Sequence, residues 1–167
     1  MSATGITISE LQKADIIAST TVDIASGVIR KFTHSKYSHM GLYYGNGLVI
    51  EAIVSGVVLQ SVAKSVGKAV RRDVYRYNGI SSSQASAIVS YAHTLLGKSY
   101  DAKGAIHSQV YGMPTESGDY YCSQLVIESC QKGGLFYDLG TEMSYTPGVI
   151  ETLYNDGRVK LLGSLTM

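Results

Sequence analysis

The chain has 167 residues, 45 % of them apolar and 16 % charged, with a net charge of +1. That suits one folded domain over residues 1–167 and excludes a disordered chain, and the near-neutral balance lacks the basic excess of a nucleic-acid binder. The longest apolar stretch, Leu48 to Leu59, is broken by Glu51 and too short to span a bilayer, so no stable membrane insertion is expected.

Residues 14–19 read as a short strand, and residues 22–32 as a helix with Val22, Ala25, Val28, Ile29 and Phe32 on one stripe. Residues 38–44 and 48–54 are strand-like and flank Gly45-Asn46-Gly47, a β-hairpin pattern. Further strands are expected at 57–60 and 73–77. Ser81 to Ser83 offer N-caps for a helix over about 83–96, with Ile88, Val89, Ala92, Leu95 and Leu96 inward and Gly97 ending it. Residues 114–118 read as a loop. Tyr121 to Gln131 is a helix with Leu125, Val126, Ser129 and Cys130 along one face, stopped by Gly133-Gly134. Thr146-Pro147 looks like an N-cap with proline at the first helical position, opening a last short helix. Strands clustered in the middle with flanking helices predict an α+β fold, an antiparallel sheet packed against helices.

Cys122 and Cys130 are the two cysteines. On one helix they stand about 12 Å apart along the axis, beyond the roughly 7 Å between Cα atoms that a disulfide tolerates. Cys122 falls in the first helical turn, where unpaired N–H groups and the helix dipole favour thiolate and offer a site for an oxyanion. The plainer reading of such a residue is a small buried hydrophobe. His39, at the start of a hairpin strand, is the best-placed base; otherwise it is an ordinary strand histidine. If the hairpin loop is three residues long, Glu51 lies diagonal to His39 on the same face, about 7–8 Å away at the backbone. A two-residue loop puts Glu51 on the opposite face. On the same face, a carboxylate fixes the ring tautomer and stabilises the imidazolium.

These residues sit in blocks that resemble a known family. Ala14-Asp15-Ile16-Ile17 comes first, then Tyr37 to Tyr43, Val49-Ile50-Glu51-Ala52 with Gly56-Val57, Leu96 to Asp101, and Tyr121 to Val126. In that order they resemble the YiiX/YebB-like branch of the permuted NlpC-type cysteine hydrolases, over about residues 14–150. In that family the histidine precedes the cysteine. The resemblance implies a circularly permuted papain-like domain with Cys122 as nucleophile, His39 as base and Glu51 as orienting acid, and with Tyr100 and Tyr121 lining the cleft. It implies an amidase or endopeptidase acting on peptidoglycan peptides. Family members often have Gly-Asp where this chain has Ala14-Asp15, and a glutamate where Gln124 stands.

The first residues, interrupted by Asp15 and Asp23, show no signal-peptide pattern, whereas periplasmic members carry one. The expectation is therefore a protein made in the cytoplasm and delivered by a non-Sec route, such as type VI secretion, to a target cell's periplasm. It would be an antibacterial effector toxin with a cognate immunity protein as partner. Two rival readings stay open: an acyltransferase or acyl hydrolase of the lecithin:retinol acyltransferase type, and a non-catalytic binding module. No cofactor is expected. His34 with His39 lacks a third ligand, so no metal is expected either. Lys64, Lys68, Arg71 and Arg72 could form a basic helical face toward an anionic substrate, and a solvated face is the plainer reading. His93 and His107 read as structural or surface residues, and Ser123 as a hydrogen bonder at the helix start.

Overall fold

The computed structural model describes residues 4–21, 35–99, 122–139 and 147–167. Seven strands form one mixed sheet: β1 (Ile6–Thr7), β2 (Ile16–Thr20), β3 (His39–Gly45), β4 (Leu48–Ile53), β5 (Gly56–Ser61), β6 (Arg71–Tyr77) and β7 (Val159–Thr166), in the order β1-β7-β6-β2-β3-β4-β5. All neighbours are antiparallel except β1 and β7. Four helices are described: α1 (Val62–Val66), α2 (Ser82–Thr94), α3 (Cys122–Lys132) and α4 (Val149–Asn155). This is the expected α+β architecture, with a parallel pair added at one edge.

Both faces of the sheet carry buried apolar residues, which is why the central strands β2 and β4 read as nearly continuous apolar runs rather than clean alternations. On one face, Ile16, Ala18, Met40, Leu42, Ile50 and Tyr75 pack with the apolar stripes of α2, α3 and α4. On the other, Ile17, Tyr43, Val49 and Val74 pack with Val62 and Val66 of α1. The α2 helix starts as its sequence predicts: the Ser81 side chain accepts from Gln84 N–H, and Gln84 returns the bond to the Ser81 N–H. Ile88, Val89, Ala92 and Leu95 are buried as expected, and Leu96 is partly buried.

Three expectations need correction. The last helix starts at Val149 with Gly148 as its N-cap, two residues later than a Thr146 cap predicts, and Thr146 lies outside the described residues. Lys64, Lys68, Arg71 and Arg72 do not share a helix: Lys64 is on α1, while Arg71 and Arg72 open β6. The Arg72 guanidinium turns inward and donates to the carbonyls of Val66 and Leu165, at 3.1 and 3.0 Å, so it closes backbone groups rather than facing solvent. The hairpin turn is also shorter than the three-residue loop that places Glu51 beside His39. Gly45 pairs directly with Leu48, leaving Asn46-Gly47 as a two-residue turn. Both turn residues have positive φ, 54° and 74°, the conformation that an Asn-Gly hairpin turn requires. The expected helix over 22–32 and loop over 114–118 fall outside the described residues.

Candidate active site

The short turn alone would have put Glu51 on the wrong face. A β-bulge restores it: the register shifts between Tyr43 and Gly45, so one extra residue of β3 is absorbed next to the turn. Beyond the bulge, Tyr43 pairs with Val49 and Leu42 with Ile50, the register a three-residue loop gives. Glu51 and His39 therefore point from the same face, the one α1 covers. His39 Nε2 lies 2.5 Å from Glu51 Oε2, with the Glu51 side chain 2 % exposed and that of His39 24 % exposed.

Two further donors, which no sequence pattern marked, complete the carboxylate's surroundings. Gln60 Nε2 donates to Oε1 at 2.5 Å, and Ser65 Oγ donates to Oε2 at 2.9 Å. Gln60 is on the same face because Glu51 pairs with Val58, two residues earlier on β5. Ser65 arrives on α1. That short helix is capped by Ser61 and tied to the hairpin turn by a bond from Val62 N–H to the Gly47 carbonyl, at 2.9 Å.

Cys122 is the first residue of α3 and is 6 % exposed. At its start β3 is paired with β2, through Ser19↔His39 and Ala18↔Met40, and the α3 start meets the sheet there. The Cys122 sulfur interacts with the His39 ring and with the backbone N–H groups of Met40 and Ser123. Since Nε2 is turned to Glu51, Nδ1 is the nitrogen left for the sulfur. Cys122, His39 and Glu51 thus form one contact chain across three elements.

The electrostatics follow from those contacts. Burial on its own pushes the His39 ring down, but the hydrogen bonds and charges of Cys122 and Glu51 outweigh it and lift the ring to about 10. Burial likewise opposes ionisation of Cys122, while the His39 contact and the Met40 and Ser123 N–H groups bring its thiol below the ordinary value. For Glu51, burial raises the carboxyl, and His39, Gln60 and Ser65 together bring it below its ordinary value. All three shifts favour the charged forms, thiolate, imidazolium and carboxylate. Cys130 is the contrast: among the described residues it has no such partner, and burial pushes its thiol up to about 12. Both cysteines are unpaired with each other.

Two other blocks singled out in the sequence meet beside the sheet. Val57 N–H donates to the Lys98 carbonyl at 2.9 Å, and Gly97 N–H to the Val57 carbonyl at 3.0 Å. A Cβ on Gly56 would stand 2.6 Å from the Lys98 oxygen, and φ there is 114°, so glycine is needed for this approach. Tyr100 and Tyr121, expected to line the cleft, lie outside the described residues, as do His34 and His107. His93 stacks on Tyr44 at 5.7 Å between ring centroids.

A model of a family described as permuted papain-like amidase enzymes, YaeF/YiiX, C92 family, matches residues 10–136. Among curated proteins, the "Probable lipoprotein peptidase YaeF" of Escherichia coli strain K12 is 28 % identical over 101 residues, 60 % of this chain and 37 % of that protein. The chain thus spans little more than a third of that relative's length. Among solved structures, the metalloprotein YiiX from Escherichia coli O157:H7 superposes with a TM-score of 0.61 at 26 % identity, covering 73 % of this chain and 66 % of the other. Among the described residues of this chain, no three His, Cys, Asp or Glu side chains are grouped to hold a metal ion.

Proposed function

This chain belongs to the C92 family of permuted papain-like amidases, and on that premise we propose that it hydrolyses amide bonds with Cys122 as nucleophile, His39 as general base and acid, and Glu51 as the group that orients His39. The observation that carries the reading is the continuous contact chain from the Cys122 sulfur through the His39 ring to the buried Glu51 carboxylate.

The chemistry runs as follows. The thiolate attacks the amide carbonyl carbon, and the negative charge moves to the carbonyl oxygen. Backbone N–H groups at the start of α3 are the donors assigned to that oxygen. The imidazolium of His39 gives its proton to the departing amine, the C–N bond breaks, and a thioacyl-enzyme remains. Neutral His39 then takes a proton from water, hydroxide attacks the thioester, and the acid leaves as the thiolate re-forms. Glu51 accepts from Nε2 throughout, so Nδ1 stays aimed at the reacting atoms.

Within that class, the substrate we propose is a peptide amide of peptidoglycan, supported by the resemblance to NlpC-type hydrolases. An effector toxin held in check by an immunity protein is the setting proposed with it. Purified peptidoglycan digested with the protein, with the products identified by mass spectrometry, tests the substrate. New amino termini within stem peptides support it. Undigested sacculi alongside turnover of an acyl lipid point instead to the acyltransferase reading.

A further inference from the structure

We propose that Gln60 and Ser65 are positioning residues of this hydrolase: they hold Glu51 ionised and turned toward His39, and through His39 they govern the charge state of Cys122. The inference rests on the Cys122–His39–Glu51 reading above and extends it to two residues that never touch the substrate.

Glu51 is 1 % exposed, so water supplies its oxygens with almost nothing. A buried carboxylate without donors protonates rather than staying charged. A neutral Glu51 would leave the His39 imidazolium without its counter-charge, and the proton would return to Cys122. The donors present are divided unequally between the two oxygens. Oε2 takes both His39 and Ser65, and Oε1 takes Gln60. Gln60 therefore holds one oxygen turned away from the ring and, with the contacts to the other, fixes the plane of the carboxylate. Ser65 binds the oxygen that His39 uses and fixes where it stands.

The local structure explains how these two residues come to be there. Gln60 is the residue diagonal to Glu51 across the β4–β5 hairpin. One residue later Ser61 caps α1, whose Val62 and Val66 are buried against the sheet, and this sets Ser65 between them over Glu51. A helix of five residues has little stability of its own. Its place is secured by that packing and by the Val62–Gly47 bond. The ionisable groups bearing on Glu51 are His39 from β3 and, through the ring, Cys122 from α3. What β5 and α1 turn toward it, Gln60 and Ser65, is uncharged, and Lys64 of α1 is exposed. Both residues thus act on Glu51 as neutral hydrogen-bond donors.

The test needs no substrate. The rate of Cys122 alkylation by iodoacetamide is measured against pH, with the label located by mass spectrometry, for the full chain and for Ser65→Ala, Gln60→Leu, their combination and Ser65→Thr. The His39 ring is titrated in parallel by NMR. In Ser65→Ala and Gln60→Leu the alkylation midpoint should rise by about half a pH unit and the ring's should fall by a similar amount, with a larger shift in the double variant. Ser65→Thr, which keeps the hydroxyl, should restore both midpoints. A loss of packing alone would lower the unfolding temperature without moving either. Folded variants with the unchanged chain's midpoints overturn the inference while leaving the triad standing. An unchanged chain whose Cys122 titrates like an ordinary thiol overturns both. If the double variant does not fold, the two single variants decide.

Discussion

Gly41 faces Glu51 so closely that a Cβ on it would stand 3.4 Å from the Glu51 Cβ and 2.8 Å from a methyl of Val49. This glycine is required for space rather than for conformation, since it does not have positive φ. The missing side chain leaves the room in which Glu51 reaches toward His39, two residues away on the same face of β3. Gly41→Ala should cost about 1–3 kcal/mol, because the buried, β-branched Val49 is stiff and the backbone must shift, and Gly41→Val about 3 kcal/mol or more. Denaturant unfolding measures the cost. The valine variant should also lose most of its amidase activity, because the bulk displaces Glu51. Full activity in folded Gly41→Val would show that Glu51 is not needed near the ring.

The three residues of the contact chain should fail in different ways. Cys122→Ala should remove turnover altogether, a loss of about 10⁴-fold or more, with the fold intact. His39→Ala should cost nearly as much, because both thiol activation and leaving-group protonation need the ring. Glu51→Gln should cost less, about 10²-fold, because the ring remains. It should also destabilise the fold by about 1–3 kcal/mol, since the new amide NH₂ must face the donors of Gln60 or of His39 and Ser65. Steady-state kinetics with thermal unfolding separates these effects. A Glu51→Gln loss exceeding that of His39→Ala would contradict the assigned roles.

The pH dependence has a definite sign. The His39 ring is raised to about 10 from an ordinary 6.5, and the Cys122 thiol is lowered from an ordinary 9.0. Taken group by group, His39 contributes stability that is fully present below 6.5 and lost as pH rises through about 10, whereas Cys122 contributes stability that is present above 9.0 and lost as pH falls through its lowered folded value. Activity should fall away at about pH 10 on the alkaline side, where the imidazolium deprotonates. A pH–rate profile checks this, and an alkaline limb near 6.5 would mean that His39 is not held by its two partners.

Ala14 has a φ of 68°, a left-handed conformation that glycine adopts without the clash of a Cβ. The strain is tolerated because the next residue is anchored: Asp15 takes two bonds from Arg76, at 2.6 and 2.7 Å, and one from Gln12 N–H at 2.8 Å. This accounts for the Gly-Asp pair at the matching position in the family. Ala14→Gly should stabilise the chain by about 1 kcal/mol without changing activity, read from the midpoint of chemical unfolding.

Local chemistry made much of this legible. Asn46-Gly47 carries its own turn type, Ser81 and Gln84 spell a capping box, and the Leu125-Val126-Ser129-Cys130 stripe marks the buried face of α3. Glu51 stood out as a charge in an apolar run, but its face depended on the bulge at Gly45, which no alternation pattern reports. Of the three elements missed, β1 has two residues and α1 is too short to show a helical period. In β7, Leu161-Leu162-Gly163 breaks the alternation, and its partners β1 and β6 are far away in the chain. Gln60 and Ser65 were missed because each looks like a surface residue until Glu51 is placed beside it. The helix start at Val149 was misread because Thr146-Pro147 has the composition of a cap, and local composition does not say which residue the fold uses.

The central claim, that Cys122 carries the acyl group, is tested most directly by trapping the intermediate. The protein is mixed with peptidoglycan stem peptides, quenched in acid within the first turnover, and mapped by mass spectrometry. The account predicts one thioacyl adduct, on the peptide bearing Cys122, absent from Cys122→Ala and never on Cys130. Turnover of the same peptides by Cys122→Ala, or an adduct on any other residue, would contradict it.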